Sequence, residues 1–431
     1  MGPALNFYLS IFIFLIAYIF IISEKINRMI VALLGATIMI FVKILFSDKA
    51  LELIDWNVIL LLIGMMLIVN MIKKIGIFEW LAIKTAKLVK GNPVYLMILL
   101  MWITAIISAF LDNVTTVLLI APVILLLSAQ MKITPIPFLI TQILASNIGG
   151  TSTLIGDPPN ILIGSAANLS FMDFLANLIL PIFSIMSILS VVIYLIFKNK
   201  LKVSKELRAE IMSYDERGII TDNVKLWKSL GILAFVFIGF LLHNLFHYEP
   251  YLIALFGATL LMFLLKEEPE HLFADVEWTT LFFFIGLFIL VGGLQESGVI
   301  KFVAEKIIKL SGNNIFILTI VILFISIVLS AIVDNIPFVI TMIPIIKQIG
   351  PQAIENTKFS NFEVLWWALA LGACLGGNGT LIGASANVVV AGLAEKNGYK
   401  ISFVEFLKYG VPITIVAAVI SGFYLYFKYF F

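Results

Sequence analysis

One short pattern occurs twice in this chain, and each time it interrupts an apolar stretch. Residues 149–160 read GGTSTLIGDPPN and residues 376–387 read GGNGTLIGASAN, so both copies share the leading glycines, a Thr-Leu-Ile-Gly core and the final asparagine. Irregular backbone at membrane depth is tolerated only where it is buried in protein or lines a cavity. The repeated pattern therefore predicts broken helices that meet inside a membrane protein.

The composition agrees with a bilayer environment. Hydrophobic residues make up 61% of the chain and charged residues 13%, whereas soluble domains have roughly 45–50% and about 25%. The formal net charge of +2 is too small to suggest nucleic-acid binding. The single cysteine, Cys374, cannot form an internal disulfide, and its apolar neighbours predict a role in helix packing.

A bilayer-crossing helix needs about 20 apolar residues, and several stretches of the first half reach that length. Residues 93–127 are too long for one crossing and are interrupted at Asp112, so they form either two crossings or one re-entrant hairpin. Lysines on one face of residues 73–90 predict a helix on the membrane surface. The remaining crossings are predicted at residues 5–23, 29–46, 56–72, 136–167 and 171–197. The first of these has its basic residues after it, which predicts a retained helix and not a cleaved signal peptide.

The same order of residues returns in the second half. The step from Asp112 to Asp334 is 222 positions, and Gly64, Asn113 and Pro122 recur at the same spacing. Agreement of glycine, asparagine and proline at one spacing indicates a duplicated unit. The predicted organisation is a first transmembrane repeat at 1–197, a basic cytoplasmic linker at 198–228, and a second transmembrane repeat at 229–431.

With hairpins at Asp112 and Asp334, each repeat crosses the membrane an odd number of times, so the second repeat must be inverted. The predicted fold is an all-α polytopic membrane protein with two inverted five-crossing repeats, each containing a re-entrant hairpin and a broken helix. That arrangement has about ten crossings and two hairpins.

Asp112 and Asp334 are candidate site residues because a carboxylate at membrane depth costs at least a few kcal/mol. With Asn113 and Asn335 they are predicted to coordinate a transported cation such as Na+, or to carry a proton. The alternative is that each aspartate caps the helix that follows it. Both roles are compatible.

The two broken segments are predicted to present backbone carbonyls and helix N-termini to an ion or polar substrate, with close helix packing as the alternative. Asp157 has no acidic counterpart, since Ala384 stands there, and is either a proton-coupling residue or a cap. The remaining candidates are Thr115, Thr116, Gly149, Gly150, Thr151, Thr153, Gly156, Asn160, Gly376, Gly377, Asn378, Thr380, Gly383, Ser385 and Asn387.

These motifs resemble the ion transporter superfamily of arsenite permeases, NhaD-type sodium/proton antiporters and citrate or dicarboxylate transporters (ArsB/NhaD and citrate-transporter-like). Among its members, the melanosomal P protein has the most similar motifs. The resemblance rests on Phe110-Leu-Asp-Asn-Val-Thr-Thr116, Gly156-Asp-Pro-Pro-Asn160, Asp334-Asn-Ile-Pro-Phe338 and the run from Gly372 to Asn387. It implies a scaffold, a mobile transport domain, elevator-like alternating access, and a homodimer.

The expected function is a secondary active permease that couples a small ion or solute to H+ or Na+, either as Na+/H+ exchange or as arsenite or anion efflux. Dicarboxylate carriers of this superfamily have serine where Asp112 and Asp334 stand, and these two negative charges disfavour a dianion. The alternatives are a Na+-coupled citrate or dicarboxylate carrier and a passive ion channel. We expect no enzymatic activity, no cofactor besides the coupling ion, no nucleic-acid partner, and a separate ATPase subunit only for an arsenite pump.

Overall fold

The computed structural model describes residues 3–23, 25–201, 203–213, 218–220, 222–311, 314–354 and 362–431, and the ordered elements in these ranges are helices. The helices of the first half are α1 Pro3–Ser23, α2 Arg28–Phe41, α3 Ser47–Glu52, α4 Trp56–Lys73, α5 Ile77–Leu88, α6 Pro93–Phe110, α7 Asn113–Gln130, α8 Ile136–Gly150, α9 Pro158–Ala167 and α10 Phe171–Phe197. Then follow α11 Lys205–Met212, α12 Asn223–Phe246, α13 Pro250–Leu265, α14 Pro269–Ala274, α15 Trp278–Glu296, α16 Val299–Ser311, α17 Ile315–Ile332, α18 Asn335–Ile354, α19 Glu363–Gly376, α20 Ser385–Lys396 and α21 Phe403–Tyr429.

Helices α1–α10 and α12–α21 correspond one to one, which confirms the internal repeat in the structure. Helix α6 (Pro93–Phe110) has its counterpart 222 positions later in α17 (Ile315–Ile332). The predicted linker at 198–228 contains α11 and the first residues of α12. Its residues 202, 214–217 and 221, which include the basic Lys202 and Arg217, lie outside the described ranges.

Nine helices in the described ranges are long and apolar enough to cross a membrane. Helix α2 is shorter than predicted, because it ends at Phe41 and not near residue 46. Lys43 adopts a left-handed backbone conformation with φ 57°, which a right-handed helix cannot contain. Helices α2, α8, α13 and α19 are shorter apolar helices.

Each pair of helices around the aspartates is joined by a turn of only two residues. Asn92 caps the start of α6 with its side chain, and Pro93 occupies the first turn, where a missing N–H costs nothing. Helix α6 ends because Leu111 is extended (φ −121°, ψ 153°), and Asp112 then caps α7. The second pair repeats this arrangement, with Asn314 capping α17 and Val333 extended.

Both helix pairs are re-entrant hairpins, which settles the choice that the sequence left open. Helices α6 and α8 run parallel, because Thr104 bonds to Gln142 (Oγ1 to Oε1, 2.6 Å) and Ser108 bonds to the carbonyl of Ser146 (2.7 Å). The tip of the hairpin therefore lies where α8 ends, and the chain then continues in the same crossing through α9. The hairpin thus turns back part-way through the membrane.

The helices form two bodies, which we call the frame and the central bundle. In the frame, α2 packs along α15 and α4 along α13, so each repeat supplies one helix to each pair. These pairs are very close: a Cβ on Gly64 would lie 2.8 Å from Ala254, and one on Gly286 would lie 2.7 Å from Ala32. The frame consists of α1, α2, α4, α12, α13 and α15, and the central bundle consists of α6–α10 and α17–α21.

Candidate functional site

Eight helix ends meet at the centre of the central bundle. Helices α7, α9, α18 and α20 begin there, and helices α6, α8, α17 and α19 end there. Helix N-termini carry partial positive charge and free N–H groups, while C-termini carry free carbonyls. The centre can therefore bind groups of either charge, and the side chains decide which.

Asp157 connects the two hairpin tips. Its side chain is fully buried, and Oδ1 accepts a hydrogen bond from Asn113 Nδ2 (3.3 Å) and another from Asn335 Nδ2 (3.3 Å). Asp157 occupies the residue position before α9, but its side chain makes no capping bond to that helix. The carboxylate therefore links the two hairpins instead of capping its own helix.

A chain of buried amides extends from Asp157 into both repeats. Asn113 Nδ2 also donates to Asn147 Oδ1 (3.0 Å), and Asn147 Nδ2 donates to Asn378 Oδ1 and Asn387 Oδ1, each at 2.9 Å. These amides are nearly or completely inaccessible to solvent. Buried polar groups are stable only when they are hydrogen-bonded, so this network fixes the relative position of the two broken helices.

Asp112 and Asp334 both cap helices, in agreement with one of the two roles considered for them. Asp112 Oδ1 accepts the backbone N–H of Thr115 (2.9 Å), and Asp334 Oδ1 accepts that of Ile336 (3.1 Å). Their other partners differ. Asp334 Oδ2 accepts a bond from Arg28 (2.9 Å) and one from Ser385 (2.6 Å), so the two pseudo-equivalent acids have different electrostatic environments.

The final asparagine of each break makes matching hydrogen bonds in the two repeats. Asn160 Nδ2 donates to the carbonyls of Gly150 (3.5 Å) and Thr153 (2.8 Å), and Asn387 Nδ2 donates to those of their counterparts Gly377 (2.8 Å) and Thr380 (2.9 Å). These asparagines thus fold the unwound segment back over itself.

One threonine attaches each break to the neighbouring hairpin. Thr153 Oγ1 donates to the carbonyl of Ala109, and Thr380 Oγ1 donates to that of Ala331 (2.5 Å). By contrast, Thr151 bonds to the carbonyl of Asn147 in its own helix (2.7 Å). The hydroxyl groups of Thr151, Thr153 and Thr380 therefore stabilise backbone in this conformation.

The glycines of the breaks permit close backbone contacts. A Cβ on Gly150 would lie 2.4 Å from the carbonyl oxygen of Gly156, and one on Gly383 would lie 2.8 Å from that of Gly377. Gly149 and Gly376 face the hairpin helices α6 and α17 in the same way. Of the other predicted residues, Thr115 contributes its backbone N–H to Asp112, and the buried hydroxyl of Thr116 has no partner within the described part of the chain.

A cavity of about 310 Å³ adjoins these residues between the central bundle and the frame. The ionisable residues that line it are Arg28, Asp112, Asp157 and Glu277. Helices α2 and α15 run parallel and begin on the side of the linker, so Arg28 and Glu277 place this cavity between the hairpin tips and the linker side of the membrane.

On the opposite side, a second cavity of about 510 Å³ lies between the frame and the bundle, and the two bodies also touch there. Ser165 of α9 donates to Asp55 Oδ2 at the start of α4 (2.5 Å), whereas Tyr18 of α1 contacts the second hairpin, where it donates to the carbonyl of Pro337 in α18 (2.7 Å). Asp55 is the repeat counterpart of Glu277. Glu277 accepts a bond from Thr280 (3.1 Å) and lines the cavity at the hairpin tips. Asp55 and Glu277 therefore have different partners, although they are equivalent in the repeat.

Three residues at the site were not among those predicted from the sequence. Asn147 precedes the first glycine pair by two positions, and its place in an apolar helix is the signal that would have identified it. Arg28 and Glu277 do not belong to any of the motifs found in the sequence. Nothing in the local sequence of these two residues indicates that their helices begin beside the hairpin tips.

Cys374 occupies the position that Asn147 occupies in the first repeat. Its Sγ contacts Asn160 Oδ1 at 3.5 Å, just as Asn147 bonds to Asn387.

We expect Asn147→Cys to lower the free energy of unfolding by about 1–3 kcal/mol, because it leaves buried amides without partners. Cys374→Ala, which removes one weak donor, should cost clearly less. Thermal unfolding of the purified variants in detergent measures the difference, and equal losses would contradict the network.

Comparison with known proteins agrees with this architecture. Residues 18–372 match the family model described as citrate transporter. The chain belongs to this family. A 46 kDa membrane protein of Mycobacterium leprae is 41% identical over 425 residues, covering 98% of each chain. An uncharacterized transporter of Mycobacterium bovis is 41% identical over 429 residues, with the same coverage.

The human P protein is 31% identical over 490 residues, which cover 95% of this chain and 58% of that protein. The crystal structure of the YdaH transporter of Alcanivorax borkumensis is similar in fold, with a TM-score of 0.62 and 13% identity, covering 89% of this chain and 87% of that one. The chain is therefore a transporter of the citrate transporter family and a multi-pass protein of the cell membrane, as predicted.

Proposed function

We propose that this protein is a secondary active transporter that exchanges a small cation, Na+ in the first instance, for protons. The observation that carries the proposal is the position of Asp157, a buried carboxylate that holds both hairpin tips through Asn113 and Asn335. Ionisable residues inside membranes mark ion pathways and proton relays. A single acid shared by both repeats could link ion occupancy to the arrangement of both hairpins.

The charge of the cavity favours a cation. Asp112, Asp157 and Glu277 line it together with Arg28, whose guanidinium is already engaged by Asp334. A second anion at about 4 Å from one of these carboxylates would be repelled by roughly 4 kcal/mol at an effective dielectric constant near 20. A cation would be attracted to the same degree.

The neutral ligands near Asp157 also suit an alkali cation. Each asparagine amide has an oxygen as well as an NH2 group, so rotation of the Asn113 and Asn335 amides would present two oxygens beside the carboxylate. Unwound backbone in transporters of this kind supplies further carbonyl oxygens. In the structure, the NH2 groups of both asparagines face Asp157, because a carboxylate without a bound cation needs hydrogen-bond donors.

Movement of the central bundle against the frame would carry the ion across the membrane in an elevator-type mechanism. Support comes from the limited contacts between the two bodies, since a few polar bonds join them, through Ser165, Tyr18 and Arg28, and cavities lie between them on both sides. An inverted repeat can adopt two mirrored arrangements of the bundle against the frame. Homodimer formation, transport without catalysis and the absence of any cofactor beyond the coupling ion are part of this proposal.

A citrate or dicarboxylate carrier is the second candidate. The family description favours it, and Arg28 and Ser385 at the cavity could bind a carboxylate. Arsenite has less support, because Cys374 is fully buried against Asn160 and is not among the residues lining the cavity.

Flux measurements on the purified protein in proteoliposomes test these candidates. We expect an imposed pH gradient to drive 22Na+ movement, and an imposed Na+ gradient to drive proton movement. Uptake of citrate that requires Na+ would instead establish the second candidate. Flux that equilibrates each ion without responding to the gradient of the other would identify a passive channel.

Asp112→Asn and Asp334→Asn are expected to reduce Na+/H+ coupling while the protein stays folded, because asparagine still caps helices well. The loss should appear as a smaller ratio of gradient-driven to passive 22Na+ flux. Unchanged coupling in both variants would mean that these two aspartates serve only as caps.

A further inference from the structure

Arg28 is the positively charged residue among those that line the central cavity. One guanidinium nitrogen, Nη1, donates to Asp334 Oδ2 (2.9 Å) and to Ser385 Oγ (2.6 Å), and Ser385 donates to the same carboxylate oxygen (2.6 Å). The guanidinium also lies over the ring of Phe283, 5.0 Å from its centroid. The arginine is therefore held in one orientation by three partners.

This ion pair joins the two bodies of the protein. Arg28 is the first residue of α2, which packs along α15 in the frame, whereas Asp334 lies at the second hairpin tip and Ser385 at the start of α20. Any displacement of the central bundle along the frame must separate Asp334 from Arg28. The pair therefore exists in one arrangement of the two bodies and not in the mirrored one.

Among the described residues, the other hairpin tip has no such pair. The repeat counterparts of Arg28 and Ser385 are Pro250 and Pro158, which have neither a charge nor a side-chain donor. Asp112 accordingly accepts the backbone N–H of Thr115. The duplicated scaffold thus provides an internal cation for one of its two tip carboxylates.

Separation of this pair is costly unless another positive charge takes the place of Arg28. The side chains of Arg28 and Asp334 are only 30% and 13% exposed, and removal of one partner from a largely buried pair leaves an uncompensated charge. A bound cation or a proton on Asp334 would compensate the carboxylate.

We propose that Arg28 is a tethered counter-cation, which binds Asp334 in the unloaded carrier and holds the central bundle against the frame until a transported cation or proton displaces it. This inference rests on the proposed cation-coupled function. In this mechanism Arg28 competes with the cargo and suppresses movement of the empty carrier, which is what coupling of two ion fluxes requires. Arg28 is thus a positioning residue that sets coupling, not a ligand of the ion.

The test uses Arg28→Gln, Arg28→Lys and a matched control, Lys49→Gln. Lys49 pairs with Glu296 at 2.9 Å, but that exposed pair joins α3 to α15 and not the bundle to the frame. In proteoliposomes, Arg28→Gln should lower the apparent KM for Na+ at the linker face by about five- to tenfold, since a competing cation is removed. It should also raise 22Na+ flux that is not coupled to protons, whereas Arg28→Lys and Lys49→Gln should stay close to the unmodified protein.

A second readout reports movement without transport. A cysteine placed at Val389, which lines the cavity, is labelled by a membrane-impermeant maleimide from the linker side. Without Na+, the Arg28→Gln background should be labelled more slowly than the Lys49→Gln background, because its bundle leaves the described conformation more often.

Coupled flux in the unmodified protein, together with identical KM, leak and labelling in the two glutamine variants, would overturn the role of Arg28. Absence of coupled flux in the unmodified protein would instead refute the proposed function. Loss of citrate binding in Arg28→Gln would reassign this residue to substrate recognition.

Discussion

Asp157→Asn is expected to abolish gradient-driven cation flux while the protein remains folded. The carboxylate is fully buried and accepts bonds from both hairpin tips. A charge about 4 Å from a bound cation contributes roughly 4 kcal/mol at an effective dielectric constant near 20, and each 1.4 kcal/mol is about tenfold in affinity. The apparent affinity for Na+ should therefore fall by about 100- to 1000-fold, as measured by 22Na+ flux in proteoliposomes.

Asp222→Asn is the matched control for this substitution. Asp222 also precedes a helix, α12, and its side chain caps that helix, but it lies in the predicted linker far from the hairpin tips in the chain. The same chemical change there should leave flux unaltered, because asparagine caps as well as aspartate. Retention of full coupled flux in Asp157→Asn, with both variants folded by size-exclusion chromatography, would remove Asp157 from the proposed mechanism.

The fold was predictable because the residues that interrupt apolar helices are rare in membranes and easy to recognise. Asp112 and Asp334, the glycine pairs and Pro158 occupy matching places in the two halves, and a bilayer allows few structures besides helices. Those positions fixed the repeat, the hairpins and the broken helices. The end of α2 was missed, because the left-handed conformation of Lys43 has no sequence signal comparable to glycine or proline.

The partners within the site were much less predictable. An internal repeat shows which residues are equivalent, but it does not show which of them touch. Asn335 reaches Asp157 across 178 positions of chain, and Arg28 reaches Asp334 across 306. Asp157 was predicted to be either a proton-coupling residue or a cap, and the structure shows that it bonds to both hairpin tips. Asp112 and Asp334 occupy equivalent positions in the sequence, so the repeat did not reveal that Arg28 pairs with Asp334.

Gly149→Ala is expected to destabilise the protein more than an ordinary surface substitution, although it adds only one methyl group. The new Cβ would lie 2.2 Å from the carbonyl oxygen of Ala105 and 2.4 Å from its Cα. These atoms belong to the backbone of α6 and cannot rotate away, so the hairpin must shift from α8. Overpacking of this kind costs about 1–3 kcal/mol or more, which thermal unfolding in detergent would reveal as a lower midpoint.

Gly231→Ala makes the same chemical change without the contact, because no atom lies within 4 Å of a Cβ built at that position in α12. Alanine is favoured over glycine in helices by up to about 1 kcal/mol, so this control should be neutral or stabilising.

Gly149 also fixes the parallel contact between α6 and α8, and this contact sets the depth of the tip that carries Asn113. A shifted hairpin should lengthen the Asn113–Asp157 bond, so Gly149→Ala should lower coupled flux as well as stability. Equal unfolding temperatures for the two alanine variants would show that α6 and α8 are not packed as closely as described.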